Sequence, residues 1–197
     1  NFKIEKRITR PLVKISKMKC VKDLNANQRR IIFPYTTLNN VASVVEENTM
    51  IEQYPECYNY LQSVKDILAT RGKGKSNYKP FYAYGRTQGL NKHGVKIYTP
   101  TFSQYPRFMF DNDLDSMFTN GYGIFYKDTN ASSMNLFTSV QNEITDVANV
   151  DVLIKILNSG LMHFYVSRTS VSIDGGYPCY QKNFIERFSI PAFSSLS

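Results

Sequence analysis

Tyr54-Pro55-Glu56-Cys57-Tyr58-Asn59-Tyr60-Leu61-Gln62-Ser63-Val64-Lys65-Asp66-Ile67-Leu68-Ala69-Thr70-Arg71-Gly72 sets the fold class. Pro55 and Glu56 suit a first helical turn: Pro has no N–H to leave orphaned there, and Glu meets the positive end of the backbone dipoles. Cys57, Tyr60, Leu61, Val64, Ile67 and Leu68 recur at spacings of three and four, which puts them on one helical face. Arg71 supplies a basic last turn and Gly72 the stop.

Outward from this helix the period changes. Upstream, Arg29 to Tyr35 is an apolar run that stops around Pro34, and Val41-Ala42-Ser43-Val44-Val45 is β-branched; both read as strands. Downstream, Phe81 to Tyr84, Val95 to Tyr98, Arg107 to Phe110, Met117 to Thr119 and Gly123 to Tyr126 are short aromatic or β-branched runs. Gly89-Leu90-Asn91, Pro100, Asp111-Asn112-Asp113 and Asn120-Gly121 punctuate them as turns. From Ala148 the spacing of Val150, Leu153, Ile154, Leu157, Leu161, Phe164 and Tyr165 is helical again. Asn158-Ser159-Gly160 interrupts it, giving two helices or one kinked helix. Ser172 to Tyr180 reads as a hairpin, and Phe184 to Pro191 as a short helix or strand. The expected class is α+β, a small, mostly antiparallel twisted sheet with packed helices. Residues 1–30, dense in charge and weak in period, read as a linker or an outlying strand pair rather than core, and residues 31–193 as the domain proper.

The chain has 197 residues, 42% hydrophobic and 20% charged, enough for a folded domain with a real core. No run approaches the roughly 20 apolar residues of a membrane span. Asn1 to Arg7 leads into charged sequence, not the apolar run of a signal peptide. A first residue other than Met raises the expectation of a fragment with a partner domain upstream. Cys20, Cys57 and Cys179 are odd in number and far apart, which argues against a disulfide framework or zinc site and for a cytoplasmic protein.

The net charge is +8, and it is unevenly spread. Residues 1–40 hold 10 Lys/Arg against 2 Asp/Glu, and residues 65–107 hold 9 against 1. Residues 41–64 and 108–197 are each net −4. Two basic blocks separated by acidic ones suit a face that meets a polyanion, or else a solvated Lys/Arg surface.

Catalytic pieces are missing. The chain holds no Gly-x-Gly-x-x-Gly, P-loop, His-Glu-x-x-His or Gly-x-Ser-x-Gly, and His93 and His163 lie far apart. Asp111, Asp113 and Asp115 resemble half a calcium loop but lack its Gly and Glu, so they read as a turn and no metal is expected. Phe33-Pro34-Tyr35 is close to the four-residue Asn/Asp-Pro-Pro-Tyr/Phe motif of adenine methyltransferases. It lacks the polar first residue and the second proline, so no catalytic role is assigned.

What remains is a kit for touching nucleic acid. Tyr84-Gly85-Arg86-Thr87-Gln88 offers an aromatic, a guanidinium fork that suits guanine O6 and N7, and an amide that suits adenine N6 and N7. Lys73, Lys75, Lys79, Lys92 and Lys96 are placed to hold phosphates, and glycines between them let backbone approach closely. Arg86 equally suits an ion pair at the core edge, and Gln88 an internal bond that fixes a turn. The loops from Lys73 to Asn77 and from Asn91 through His93 to Gly94 carry further candidate contacts.

The ordered landmarks resemble a known family. They are Ile31 to Tyr35, Tyr54-Pro55 with Tyr60-Leu61, Leu68 to Arg71, Tyr84 to Gln88, Lys96-Ile97, Leu153 to Leu161, Gly175-Gly176-Tyr177 with Tyr180, Lys182-Asn183-Phe184, and Ile190-Pro191. Their order is similar to that of the TaqI-like C-terminal specificity domain. This is the target-recognition part of bacterial N6-adenine DNA methyltransferases and fused restriction-modification enzymes, with related domains in type I specificity subunits. The likeness covers about residues 30 to 191. The family usually carries a tryptophan shortly before Gly-Arg-x-Gln, where this chain has Tyr78 and Phe81.

The resemblance implies a non-catalytic α+β domain that reads double-stranded DNA. Tyr177 and Lys182 join the candidate DNA contacts on that ground. S-adenosylmethionine would bind a separate N-terminal methyltransferase domain, not this chain. The alternatives are an assembly module like a specificity subunit, whose late helices pack on a partner, and a complete enzyme.

Overall fold

The computed structural model describes residues 2–39, 41–74, 78–125, 147–173 and 175–190. Lys75, Asn77, Pro191 and the whole 126–146 stretch lie outside them. The chain is α+β, with small, mostly antiparallel sheets. It divides into two units, residues 1–11 with 29–93 and residues 12–28 with 94–197.

In the first unit, the start of β1 (Thr9–Lys14) pairs antiparallel with β2 (Arg30–Ile32), and β3 (Tyr35–Leu38) forms a hairpin with β4 (Val41–Val44). Helices α2 (Glu47–Gln53), α3 (Pro55–Ser63) and α4 (Lys65–Ala69) follow. Ile8, Val45, Met50, Cys57, Leu61 and Tyr82 close the core. The helix expected over 54–72 is therefore two. Val64 leaves helical backbone angles (φ −113°, ψ 13°) and α4 turns away, so Ile67 ends 69% exposed instead of on the core face. Phe81 to Tyr84, expected as a strand, forms a turn held by the Ala83 N–H on the Pro80 carbonyl.

The start of α3 is capped at a distance in sequence. The Glu5 carboxylate accepts the Glu56 and Cys57 N–H groups, each at 2.9 Å. Burial alone would raise the Glu5 pKa, but its backbone hydrogen bonds and Arg7 outweigh that and hold the carboxyl below its ordinary value. The Cys57 thiol is pushed up to about 11, by burial first and by Glu5 second. Cys57 and Cys179 are buried and Cys20 is exposed. A thiol reagent at neutral pH should modify Cys20 alone in the native chain, and all of Cys20, Cys57 and Cys179 once denatured. Rapid native labelling of Cys57 or Cys179, read by mass spectrometry, would contradict this packing.

In the second unit, β5 (Lys96–Thr99) is the central strand, with β6 (Met109–Asp111) and β8 (Tyr122–Phe125) antiparallel on either side. All four β5 residues are buried. Side chains alternate along a strand, so the two faces of β5 serve different clusters. Tyr98 joins Val13, Ile15, Met18 and Met109, while Ile97 joins Phe108, Met162, Val166 and Tyr180. Helices α5 (Val147–Leu157) and α6 (Gly160–Thr169) supply much of the latter cluster. Ser159 separates them as the N-cap of α6, its hydroxyl accepting the Met162 N–H. Short α1 (Val21–Asn25), strand β7 (Met117–Thr119), the β9–β10 hairpin (Ser172–Ile173 with Tyr177–Pro178) and α7 (Lys182–Ile185) complete the unit.

Residues 1–30 are not a bare junction. The end of β1 pairs in parallel with β7, and Val13 and Ile15 point into the core. Dense charge at Arg10, Lys14 and Lys17 masks the inward alternation of Val13 and Ile15 in the sequence. The boundary between units falls inside β1, after Pro11.

Candidate nucleic-acid interface

The Gly85 to Gln88 stretch is an exposed tip fixed at both ends, in the first unit. Before it, Tyr82 is buried and its hydroxyl donates to the Val45 carbonyl at 2.7 Å. Tyr84 packs on Tyr35 and Phe33, with ring centroids 5.0 and 6.4 Å away. The Tyr84 N–H donates to the Tyr35 hydroxyl at 2.6 Å, and its own hydroxyl donates to the Ile32 carbonyl. After the tip, Leu90 is 4% exposed and anchors the return.

Arg71 fastens this segment to the end of α4. Its guanidinium donates to the carbonyls of Leu68 (2.7 Å), Ala83 (2.8 Å) and Phe81, and lies 4.5 Å from the centre of the Tyr78 ring. The hydroxyl end of Tyr78 in turn lies against Gly85. A Cβ at Gly85 would sit 2.7 Å from that oxygen, so a side chain there would displace the ring. Arg71, Tyr78 and Gly85 thus form one positioning unit behind Arg86.

Arg86, Thr87 and Gln88 are exposed. Neither the carboxylate partner considered for Arg86 nor the internal bond considered for Gln88 is seen among the described residues. Both side chains face solvent from a tied backbone. Lys73 is exposed within a left-handed run, with φ of 61°, 61° and 71° at Gly72, Lys73 and Gly74. Asn91, Lys92 and His93 are exposed too. This unit holds 13 Lys/Arg against 6 Asp/Glu, net +7, whereas the second holds 11 against 10.

Two candidates need correction. Lys96 cannot reach a phosphate: it is 0% exposed on the central strand, its ammonium donating to the carbonyls of Asp113 (2.7 Å) and Gly94 (3.0 Å). Tyr84 is half-buried with its hydroxyl engaged and the tyrosine held protonated by burial, so it supports the tip and offers no free ring. Tyr177 (42% exposed) and Lys182 lie in the second unit. Lys182 pairs loosely with Glu186 at 3.6 Å, an exposed pair that contributes little.

The Asp111–Asp115 segment forms a turn, with the Asp113 N–H on Asp111 Oδ1 and the Asp115 N–H on Asp113 Oδ1, both at 2.9 Å. Among the described residues no His/Cys/Asp/Glu group could hold a metal, and no helix is long and apolar enough to cross a membrane. Phe33 and Tyr35 are buried, with the Arg10 guanidinium 3.7 Å over the Phe33 ring. No known family model matches this chain, nor does any curated protein.

Proposed function

We propose that this chain is a sequence-specific double-stranded DNA recognition domain, non-catalytic by itself. In this reading it serves a cytoplasmic restriction-modification adenine-N6 methyltransferase, whose S-adenosylmethionine-binding domain lies elsewhere in the polypeptide. One observation carries it: Arg86 and Gln88 stand exposed on a tip tied down at both ends, in a unit of net charge +7. Forked side chains on a fixed backbone suit base edges, and the surrounding lysines suit phosphates. The ordered landmarks of the specificity-domain family support the same reading.

Arg86→Ala and Gln88→Ala should each lower discrimination between the preferred and a mismatched duplex by roughly 1–3 kcal/mol. Lys73→Ala should weaken binding to all duplexes alike and flatten the salt dependence by about one charge. Binding that ignores salt, or a specificity loss confined to Lys73→Ala, would overturn these roles. A second reading, an assembly module, has Leu161 (64% exposed) and Phe164 (60%) on α6 in its favour. A monomeric gel-filtration mass alongside tight DNA binding would count against it.

A further inference from the structure

A cleft in the second unit has the makings of a nucleotide pocket. Its volume is about 410 Å³, and Lys19, Phe102, Gln104, Tyr105, Arg107 and Tyr177 are among the residues lining it. The loop that forms one wall is pinned at both ends. On one side the Tyr180 N–H donates to the Thr101 carbonyl at 2.8 Å, and Phe102 bridges Cys179. On the other, the Asn158 amide clamps the backbone of Phe108, accepting its N–H at 2.8 Å and donating to its carbonyl at 2.9 Å. Tyr177 arrives on β10.

Arg107 is the anomaly. Its Nε is the one buried side-chain nitrogen or oxygen without a hydrogen-bond partner among the described residues. Burial pulls its pKa down, so the folded chain holds this cation at a cost. A buried donor without a partner in a native fold is an exception that a water, an ion or a ligand accounts for. Among the described residues no carboxylate lines the cleft, while Lys19 adds a second cation. Tyr105 (62% exposed) and Tyr177 (42% exposed) present aromatic surface at the same place. Two cations with partly exposed aromatic rings, Tyr105 backed by His163 at 5.5 Å, match an anion joined to a flat ring, the chemistry of a nucleotide.

We propose that this cleft takes one nucleotide unit of the bound DNA strand, its phosphate on Arg107 and Lys19 and its base or sugar against Tyr105 and Tyr177. This rests on the DNA-recognition reading above and adds a DNA contact within the second unit. Arg107 then sacrifices stability of the free chain for binding.

The test uses the whole chain as wild type, Arg107→Met, Lys19→Gln and Arg86→Ala, measuring duplex affinity and thermal midpoint. Arg107→Met should lower duplex affinity about tenfold, the loss expected for a charge-assisted contact. Its midpoint should hold or rise by about 2–4 °C, because a buried N–H without a partner is gone. Lys19→Gln, at an exposed position, should weaken binding and reduce the salt slope by about one. Deoxyadenosine monophosphate should compete with duplex for the wild type and fail to bind Arg107→Met. If Arg107→Met and Lys19→Gln bind duplex like wild type while Arg86→Ala loses discrimination, the DNA reading stands and the cleft assignment falls. If the monophosphate binds through Arg107 while duplex affinity is unchanged in Arg107→Met, the cleft belongs to free nucleotides and the proposal falls. If the wild type binds no duplex, both fall together.

Discussion

Arg71→Ala should cost about 3–4 kcal/mol in the first unit, and abolish base discrimination while leaving weak, salt-sensitive DNA binding. The Arg71 guanidinium satisfies the carbonyls of Leu68, Phe81 and Ala83. Hydrogen bonds to a charged donor are each worth about 1.5–3 kcal/mol, less where water can replace them in this half-exposed position. Removing the side chain also frees Tyr78, which rests against Gly85. The tip would then present Arg86 and Gln88 from a mobile backbone, and the entropy of ordering them would fall on the binding step. Arg71→Lys should be almost as damaging, because an ammonium cannot span three carbonyls held in a planar fork. Amide hydrogen exchange over residues 78–90 reads the loss directly. Unchanged protection there in Arg71→Ala would remove Arg71 from its positioning role.

Asp111→Ala should destabilise the second unit by about 3–4 kcal/mol, which moves the urea midpoint down by roughly 1.5–2 M at a typical slope. Asp111 is 7% exposed and its Oδ2 accepts the hydroxyls of Tyr98 (2.8 Å) and Ser116, while Oδ1 takes the Asp113 N–H. Tyr98 is fully buried on the central strand; burial first, and the Asp111 hydrogen bond with it, hold its phenol protonated above the ordinary range. Without the carboxylate, buried hydroxyls lose their acceptor and a void opens beside them. Asp111→Asn keeps the shape and one acceptor oxygen, so it should cost less than half as much. Equal midpoints for Asp111→Ala and wild type would show that this network is not what closes the sheet.

Much of the fold was legible because apolar spacing reports burial. Met117 to Thr119 and the break at Asn158-Ser159 stand where the spacing places them. The misses have separate physical causes. Val64 breaks a helix whose apolar spacing runs on unbroken, since spacing does not report backbone angles. Val13 and Ile15 are core residues hidden among lysines, in a stretch expected to stay outside the core. Lys96 looks like a surface cation, yet it lies within a β-branched run that becomes the central strand, where the carbonyls of Gly94 and Asp113 neutralise the cost of burying it. Residue type singled out the stretch that bears Arg86 and Gln88. It could not show that Arg71 holds that tip, because the three carbonyls it binds come together only in the folded chain. Nor could it single out Arg107, whose place in a strand-like run hides an unpaired donor.

The central claim is that this chain chooses among DNA sequences through the Arg86–Gln88 tip. Selection of bound duplexes from a random-sequence pool tests it most directly. The wild type should enrich one short motif, and Arg86→Ala with Gln88→Ala should bind a pool close to the input while keeping the native thermal midpoint. A wild-type pool as random as the input, or a motif unchanged in the double variant, would contradict it.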